Sequence, residues 1–106
     1  MSSQIMRLLV FFDLPVLTAK NRHDYSQFRK FLIKEGYLQM QESVYSKIVL
    51  SQTTEELERA KLEKKLPPKG LVQLLVVTEK QYASIQFLVG SKEHDEIDST
   101  SRLVIL

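Results

Sequence analysis

The sequence predicts an α+β sandwich of the ferredoxin-like class, with an antiparallel sheet and two main helices on one of its faces. Three observations predict it. Two nearly unbroken apolar runs, residues 8–12 and 71–77, have the length and the β-branched or aromatic content of buried strands. Two amphipathic stretches of helical period, residues 19–35 and 55–66, stand between them. An extended segment, residues 38–50, separates those two stretches, so the order reads strand, helix, extended segment, helix, strand.

The first run, Leu8-Leu9-Val10-Phe11-Phe12, stops at Asp13 and is followed by Pro15, which places a carboxylate at the C-terminal rim of a central strand. Two roles suit an acid there. It can accept backbone hydrogen bonds from the turn at residues 14–17 or from the helix start beyond. It can also act as a hard oxygen donor to Mg²⁺ or another divalent cation, which takes one or two carboxylates and fills its other positions with water or phosphate oxygens. One Asp per chain is half of such a site, and two copies meeting across a dimer axis would complete it.

Thr18 is the expected N-cap of a first helix over residues 19–35, and Gly36 suits the position beyond its end. Tyr25, Phe28, Phe31 and Leu32 share one stripe of that helix, while Arg22, Arg29, Lys30 and Lys34 lie around the other side. In the extended segment, Met40, Glu42, Val44, Ser46, Ile48 and Leu50 share one parity, consistent either with one long bent strand or with two short ones around Glu42-Ser43.

Thr53-Thr54-Glu55-Glu56 predicts a capping box, Thr53 with Glu56, that opens a second helix. That helix is expected to carry Leu57, Ala60 and Leu62 toward Leu66 and to stop at Pro67-Pro68. Arg59, Lys61, Lys64 and Lys65 gather in its later turns, where they complement the helix dipole and, with Lys69, form a basic cluster suited to phosphate contacts. Beyond the second apolar run come an expected helical turn at residues 79–84, a short strand at residues 85–89 and a polar loop at residues 91–101. The chain then ends in Leu103-Val104-Ile105-Leu106, an apolar strand whose edge invites another chain. Residues 1–90 are thus read as the core domain, and residues 91–106 as a loop and dimerisation strand.

Composition narrows the function. The chain has 106 residues, 43% of them hydrophobic, and it has no cysteine, which excludes disulfides, thiolate metal sites and cysteine nucleophiles. The first residues lack a secretory signal and no apolar run approaches the ~20 residues of a bilayer span, so a cytoplasmic protein without a membrane partner is expected. Through Gly90 there are thirteen Lys or Arg against nine Asp or Glu, and after it two against four, so a basic body precedes an acidic tail. A polyanion is the partner that this balance suits. His23 and His94 fall in no metal-ligand pattern, and no phosphate-binding Gly-rich loop or nucleophile elbow is present.

Phe11-Phe12-Asp13-Leu14-Pro15, Gly36-Tyr37 followed by Gln41-Glu42-Ser43-Val44-Tyr45, and the stretch from Gly70 through Val77-Thr78-Glu79-Lys80-Gln81-Tyr82 together resemble the CRISPR-associated protein two family. The resemblance implies a ferredoxin-like homodimer in which a C-terminal strand completes the partner's sheet. It also implies a role in CRISPR adaptation, bridging dimers of the integrase subunit and supporting the double-stranded DNA prespacer. On this resemblance Asp13 matches the metal-binding acid, shared with its copy across the axis, and Ser43 and Tyr45 match positions near it. Phe12 stands where many members have Tyr, and Gln39 where some have Arg; these departures weaken the case for phosphodiester cleavage, which needs cationic stabilisation of developing charge.

Three functions follow as expectations. The first is a DNA-binding scaffold of the integration complex. The second is a Mg²⁺-dependent nuclease using paired Asp13, acting on DNA or on RNA, with a toxin-type endoribonuclease as its variant. The third, an unrelated RNA-recognition module, lacks the Lys/Arg-Gly-aromatic motif that such modules carry on central strands.

Overall fold

The structure, a computed structural model, describes residues 5–90. Strand β1 (Met6–Asp13) leads into helix α1 (Ala19–Lys34), then β2 (Leu38–Gln41), β3 (Val44–Val49), helix α2 (Gln52–Lys64), β4 (Leu71–Thr78) and the short helix α3 (Glu79–Ala83). The four strands form one antiparallel sheet in the order β2-β3-β1-β4. That order and the βαββαβ succession are those of a ferredoxin-like sandwich.

Register assigns each strand residue to a face. Leu8, Val10 and Phe12 of β1 lie opposite Lys47 and Tyr45 of β3 and Val76, Leu74 and Val72 of β4. This face packs on Phe28 and Leu32 of α1 and Leu62 of α2, and it contains the core. Each fully buried Leu or Phe contributes about 1.5–3 kcal/mol, so both helices are held chiefly by this face. Arg7, Leu9, Phe11 and Asp13 alternate onto the other face, opposite Val44, Ser46 and Ile48 on one side and Leu71, Gln73, Leu75 and Val77 on the other. Leu9 and Ser46 are buried there, whereas Ile48, Leu71 and Leu75 are about half exposed.

Local chemistry explains the boundaries. Thr18 Oγ1 accepts the Asn21 amide at 3.0 Å while Asn21 Oδ1 accepts the Thr18 amide, a reciprocal box that opens α1 as expected. Gly36, at φ +92°, turns the chain out of the helix. The extended segment resolves into two strands with a turn at Glu42-Ser43, and one extra residue, Met40, interrupts the β2–β3 ladder. The helix-covered side of β3 carries Tyr45 and Val49, the opposite parity to Val44, Ser46 and Ile48.

Three expectations are corrected. Helix α2 begins earlier than the Thr53–Glu56 box: Ser51 is its N-cap and accepts the Thr54 amide at 3.1 Å, and Glu56 instead meets Gln52 one turn before it. Its buried face is Glu58 and Leu62, not Leu57 and Ala60, because Lys47 of β3 reaches Glu58 at 2.8 Å and neutralises the acid inside. Residues 85–89 pair with no strand among the described residues, and Leu88 and Val89 are exposed. The loop at residues 91–101 and the strand Leu103-Val104-Ile105-Leu106 lie outside the described residues.

Candidate functional site

Asp13 is the last residue of β1, paired in register with Leu71, and its side chain is exposed on the sheet face away from the helices. Its backbone is held on both sides. The Phe12 amide donates to the Ser43 carbonyl at 3.1 Å, which fastens the β2–β3 turn beside the strand end. On the other flank Gly70 presses against the Asp13 carbonyl and buried Leu14. The carboxylate thus projects from a rigid rim, and among the described residues it takes part in no ion pair.

No group of three or more His, Cys, Asp or Glu that could hold a metal occurs among the described residues. Within one chain, Asp13 supplies one carboxylate, which fits half of a hard-cation site and leaves the other half to a second copy and to water. Of the neighbours expected around it, Ser43 contributes its backbone carbonyl, while Phe12 and Tyr45 turn to the opposite, helix-covered face. There Phe12 packs edge-on to Phe28 at 5.3 Å and to Tyr25 at 5.8 Å and stacks on Tyr45 at 5.7 Å. Burial raises the Tyr45 hydroxyl above the usual phenol range, and the Arg29 guanidinium partly opposes that rise. Both aromatics stiffen the strand behind Asp13 and do not approach whatever Asp13 would bind.

Arg7 marks the far end of the same open face. Its guanidinium makes a bidentate pair with Glu79 at 2.7 and 2.8 Å and lies 3.9 Å over the Tyr82 ring, so it clamps α3 to the sheet. The hydrogen bonds from Arg7 hold the Glu79 carboxyl below its ordinary range. Neither this clamp nor the approach of Gly70 to Asp13 was expected from the sequence. A lone Arg at the start of an apolar run and a Gly just before the second run were the available signals.

The nine expected nucleic-acid cations are not equivalent. Arg59 pairs with Glu55 at 3.1 Å, Lys61 bridges Glu35 at 3.2 Å and Glu58 at 3.8 Å, and Arg22 donates to the Val16 and Leu17 carbonyls. Arg59 and Lys61 are thus paired at the surface, while Arg22 braces the turn before α1. Arg29, Lys30, Lys34, Lys64, Lys65 and Lys69 take part in no ion pair among the described residues. Lys30, Lys34 and Lys65 converge on a groove of about 500 Å³ between α1 and the connection at residues 65–68.

The family model described as CRISPR associated protein Cas2 matches residues 6–85. A Treponema denticola protein named CRISPR-associated endoribonuclease Cas2 is 50% identical over 101 residues, covering 95% of this chain and 100% of that relative. Proteins of the same name from Ligilactobacillus salivarius and Lacticaseibacillus rhamnosus are 44% and 42% identical, with the same coverage of both chains. The matched span contains β1 with Asp13, both main helices and β4.

Proposed function

This chain belongs to the CRISPR-associated protein Cas2 family and is a subunit of CRISPR adaptation, and from that premise we propose that it works as a homodimeric, DNA-binding scaffold that bridges integrase subunits around a prespacer duplex. The observation that carries the reading is the two-sided sheet. One face is buried under the helices, and the other presents half-exposed Ile48, Leu71 and Leu75 with Asp13 at its corner. A second copy laid on that face would bury those side chains, at roughly 25 cal/mol per Å², and would leave both helix layers with their cations outward for partners.

Among the described residues strand β4 is an edge of the sheet, and its outer backbone groups are open to pairing. The terminal strand Leu103-Val104-Ile105-Leu106 would occupy the partner's edge, and the exposed run at residues 85–89 is a second segment able to do so. No helix among the described residues is long and apolar enough to cross a membrane.

Lys64 and Lys69, exposed and outside every ion pair among the described residues, would contact duplex phosphates without reading sequence. The test is reconstitution: the purified chain, its integrase subunit and a short duplex are expected to form a stable complex that inserts the duplex into a repeat-bearing target. An integrase that performs integration equally well without this chain would sink the reading. For the duplex contact, Lys64→Ala with Lys69→Ala should reduce the slope of log affinity against log salt by about 1.8, at 0.9 per phosphate.

A second reading, a Mg²⁺-dependent nuclease, is favoured by the position of Asp13 alone. An exposed carboxylate on the face that a second copy would cover is placed to meet its counterpart there. A cation held between the two would polarise a phosphate oxygen and activate water. The relatives from Treponema denticola and Ligilactobacillus salivarius carry endoribonuclease in their names.

A further inference from the structure

The geometry points to a single-strand nucleic-acid site in the groove between α1 and the connection at residues 65–68, distinct from the surface that would hold a duplex. It rests on the scaffold reading only in taking nucleic acid as the ligand. Lys30, Lys34 and Lys65 supply the cations, and Phe31 with Pro67 supplies the surface on which a base would lie.

Charge comes first. Two carboxylates also line the groove, but Asp24 is paired with Lys20 at 3.2 Å and Glu35 with Lys61 at 3.2 Å. The three groove lysines have no such partner among the described residues. Helices α1 and α2 both end beside the groove, and each C-terminus brings about half a negative charge. Three ammonium groups exceed that by about two charges, so the groove attracts an anion.

Shape then selects the kind of anion. Lys30 and Lys34 stand one helical turn apart, about 5–6 Å between their Cβ atoms, a spacing that successive phosphates of an unstacked strand can follow. Phe31 lines the groove between them, half-buried, with its ring stacked on Phe28 at 6.5 Å and its remaining surface toward the groove. Pro67 and Pro68 form the opposite wall with fixed φ and no rotamer freedom to lose, so the cleft is preformed. Its volume is that of a small-ligand cleft. A cationic groove with an aromatic floor is the arrangement that holds single strands, whose bases are free to stack on protein. A duplex keeps its base faces inside and would leave Phe31 and Pro67 without a partner.

The experiment uses fluorescence anisotropy of the full chain with labelled oligo-dT, oligo-U and a blunt duplex of equal length. Phe31→Leu is expected to weaken single-strand binding at least fivefold, from the loss of one stacked base, while Phe31→Tyr retains it. Lys30→Ala with Lys34→Ala is expected to lower the single-strand salt slope by about 1.4, at 0.7 per phosphate. Duplex affinity should stay within about twofold in the two Phe31 variants, and the folding of all three variants is checked by thermal melting. Equal affinity for oligo-dT and oligo-U supports recognition through backbone and base faces, and a preference for one assigns the strand as DNA or RNA. Unchanged single-strand binding in the Leu and Ala variants overturns the site. So does an equal loss of duplex binding, which would make the groove part of the scaffold's duplex surface and leave the scaffold reading standing. Binding of labelled polyglutamate that is lost in the Lys30→Ala, Lys34→Ala variant, with neither oligonucleotide bound, would overturn it in favour of an acidic protein segment.

Discussion

Gly70 lies so close to Asp13 that a Cβ on it would stand 2.8 Å from the Asp13 carbonyl oxygen and 2.7 Å from Leu14 Cδ2. Its φ of +102° is one that side chains with a Cβ rarely adopt. The contact fixes the point at which β1 leaves the sheet, and with it the rim from which the Asp13 carboxylate projects.

Gly70→Ala is therefore expected to destabilise the fold by about 2–4 kcal/mol, combining the left-handed penalty with local overpacking. Gly36 offers the comparison. It shares the positive φ, but an added Cβ there would meet only the end of the Lys47 side chain, Cε at 3.8 Å and Nζ at 3.9 Å, so Gly36→Ala should cost about 1–2 kcal/mol. Denaturant unfolding of both variants checks the order, and equal losses would show that the approach to Asp13 is not tight.

Lys47 and Glu58 make the principal buried ion pair, with Nζ 2.8 Å from Oε2 and a further hydrogen bond from Nζ to the Glu35 carbonyl. Removing one partner strands the other charge inside. Glu58→Ala is expected to cost about 3 kcal/mol, because burying an unpaired ammonium outweighs the lost packing. Replacing both, Lys47→Met with Glu58→Met, should recover most of that loss, since two apolar side chains avoid the desolvation penalty altogether. A double variant no more stable than Glu58→Ala would show that the pair contributes through geometry that methionine cannot supply.

The core strands were legible because they depend on composition near at hand. The runs ending at Asp13 and Thr78 are apolar except for Gln73, and Thr18 and Gly36 bracket α1 with local chemistry. Features that needed a partner from elsewhere were not legible. Glu58 reads as a surface acid until Lys47, eleven positions earlier, is placed beneath it. Ser51, Thr53 and Thr54 all offer a hydroxyl to cap α2, and only the path of the chain out of β3 selects Ser51. The extra residue Met40 shifts the alternation between β2 and β3, so parity carried across it names the wrong buried face. At the site, Asp13's rim position followed from where its strand stops, but Gly70 reaches Asp13 across 57 positions of sequence.

Tyr37 supplies a pH dependence. Its ring is buried, its hydroxyl meets no partner at hydrogen-bond geometry among the described residues, and burial raises its pKa, reinforced by the negative charges of Glu58 and Glu35. The unfolded chain releases this proton near pH 10, whereas the folded chain retains it well above that. The unfolded state thus binds fewer protons, and stability falls as pH rises above about 10. Tyr37→Phe should flatten that fall while changing neutral stability little, because the lost hydroxyl had no partner. Unfolding free energies at pH 8 and pH 11 check the sign. An unaltered alkaline slope in the Phe variant would place the titration elsewhere, with Tyr45, also raised by burial, as the next residue to replace.

Asp13 separates metal binding from function. If the open sheet faces of two copies meet, two Asp13 carboxylates come together, and their mutual repulsion disfavours the metal-free dimer. A cation that binds only the dimer then stabilises it by mass action, about 2.7 kcal/mol at a hundredfold excess over its dissociation constant. Mg²⁺ is expected to shift the wild-type monomer–dimer equilibrium toward dimer. Asp13→Asn should strengthen the metal-free dimer and abolish the Mg²⁺ response, both read by sedimentation. Under the scaffold reading the Asn variant still supports integration by its partner integrase, since no bond-breaking step passes through Asp13. Under the nuclease reading it loses a Mg²⁺-dependent cleavage that the wild type shows. Cleavage that persists in the Asn variant removes Asp13 from any catalysis, and integration that fails while the dimer stays intact overturns the scaffold-only account.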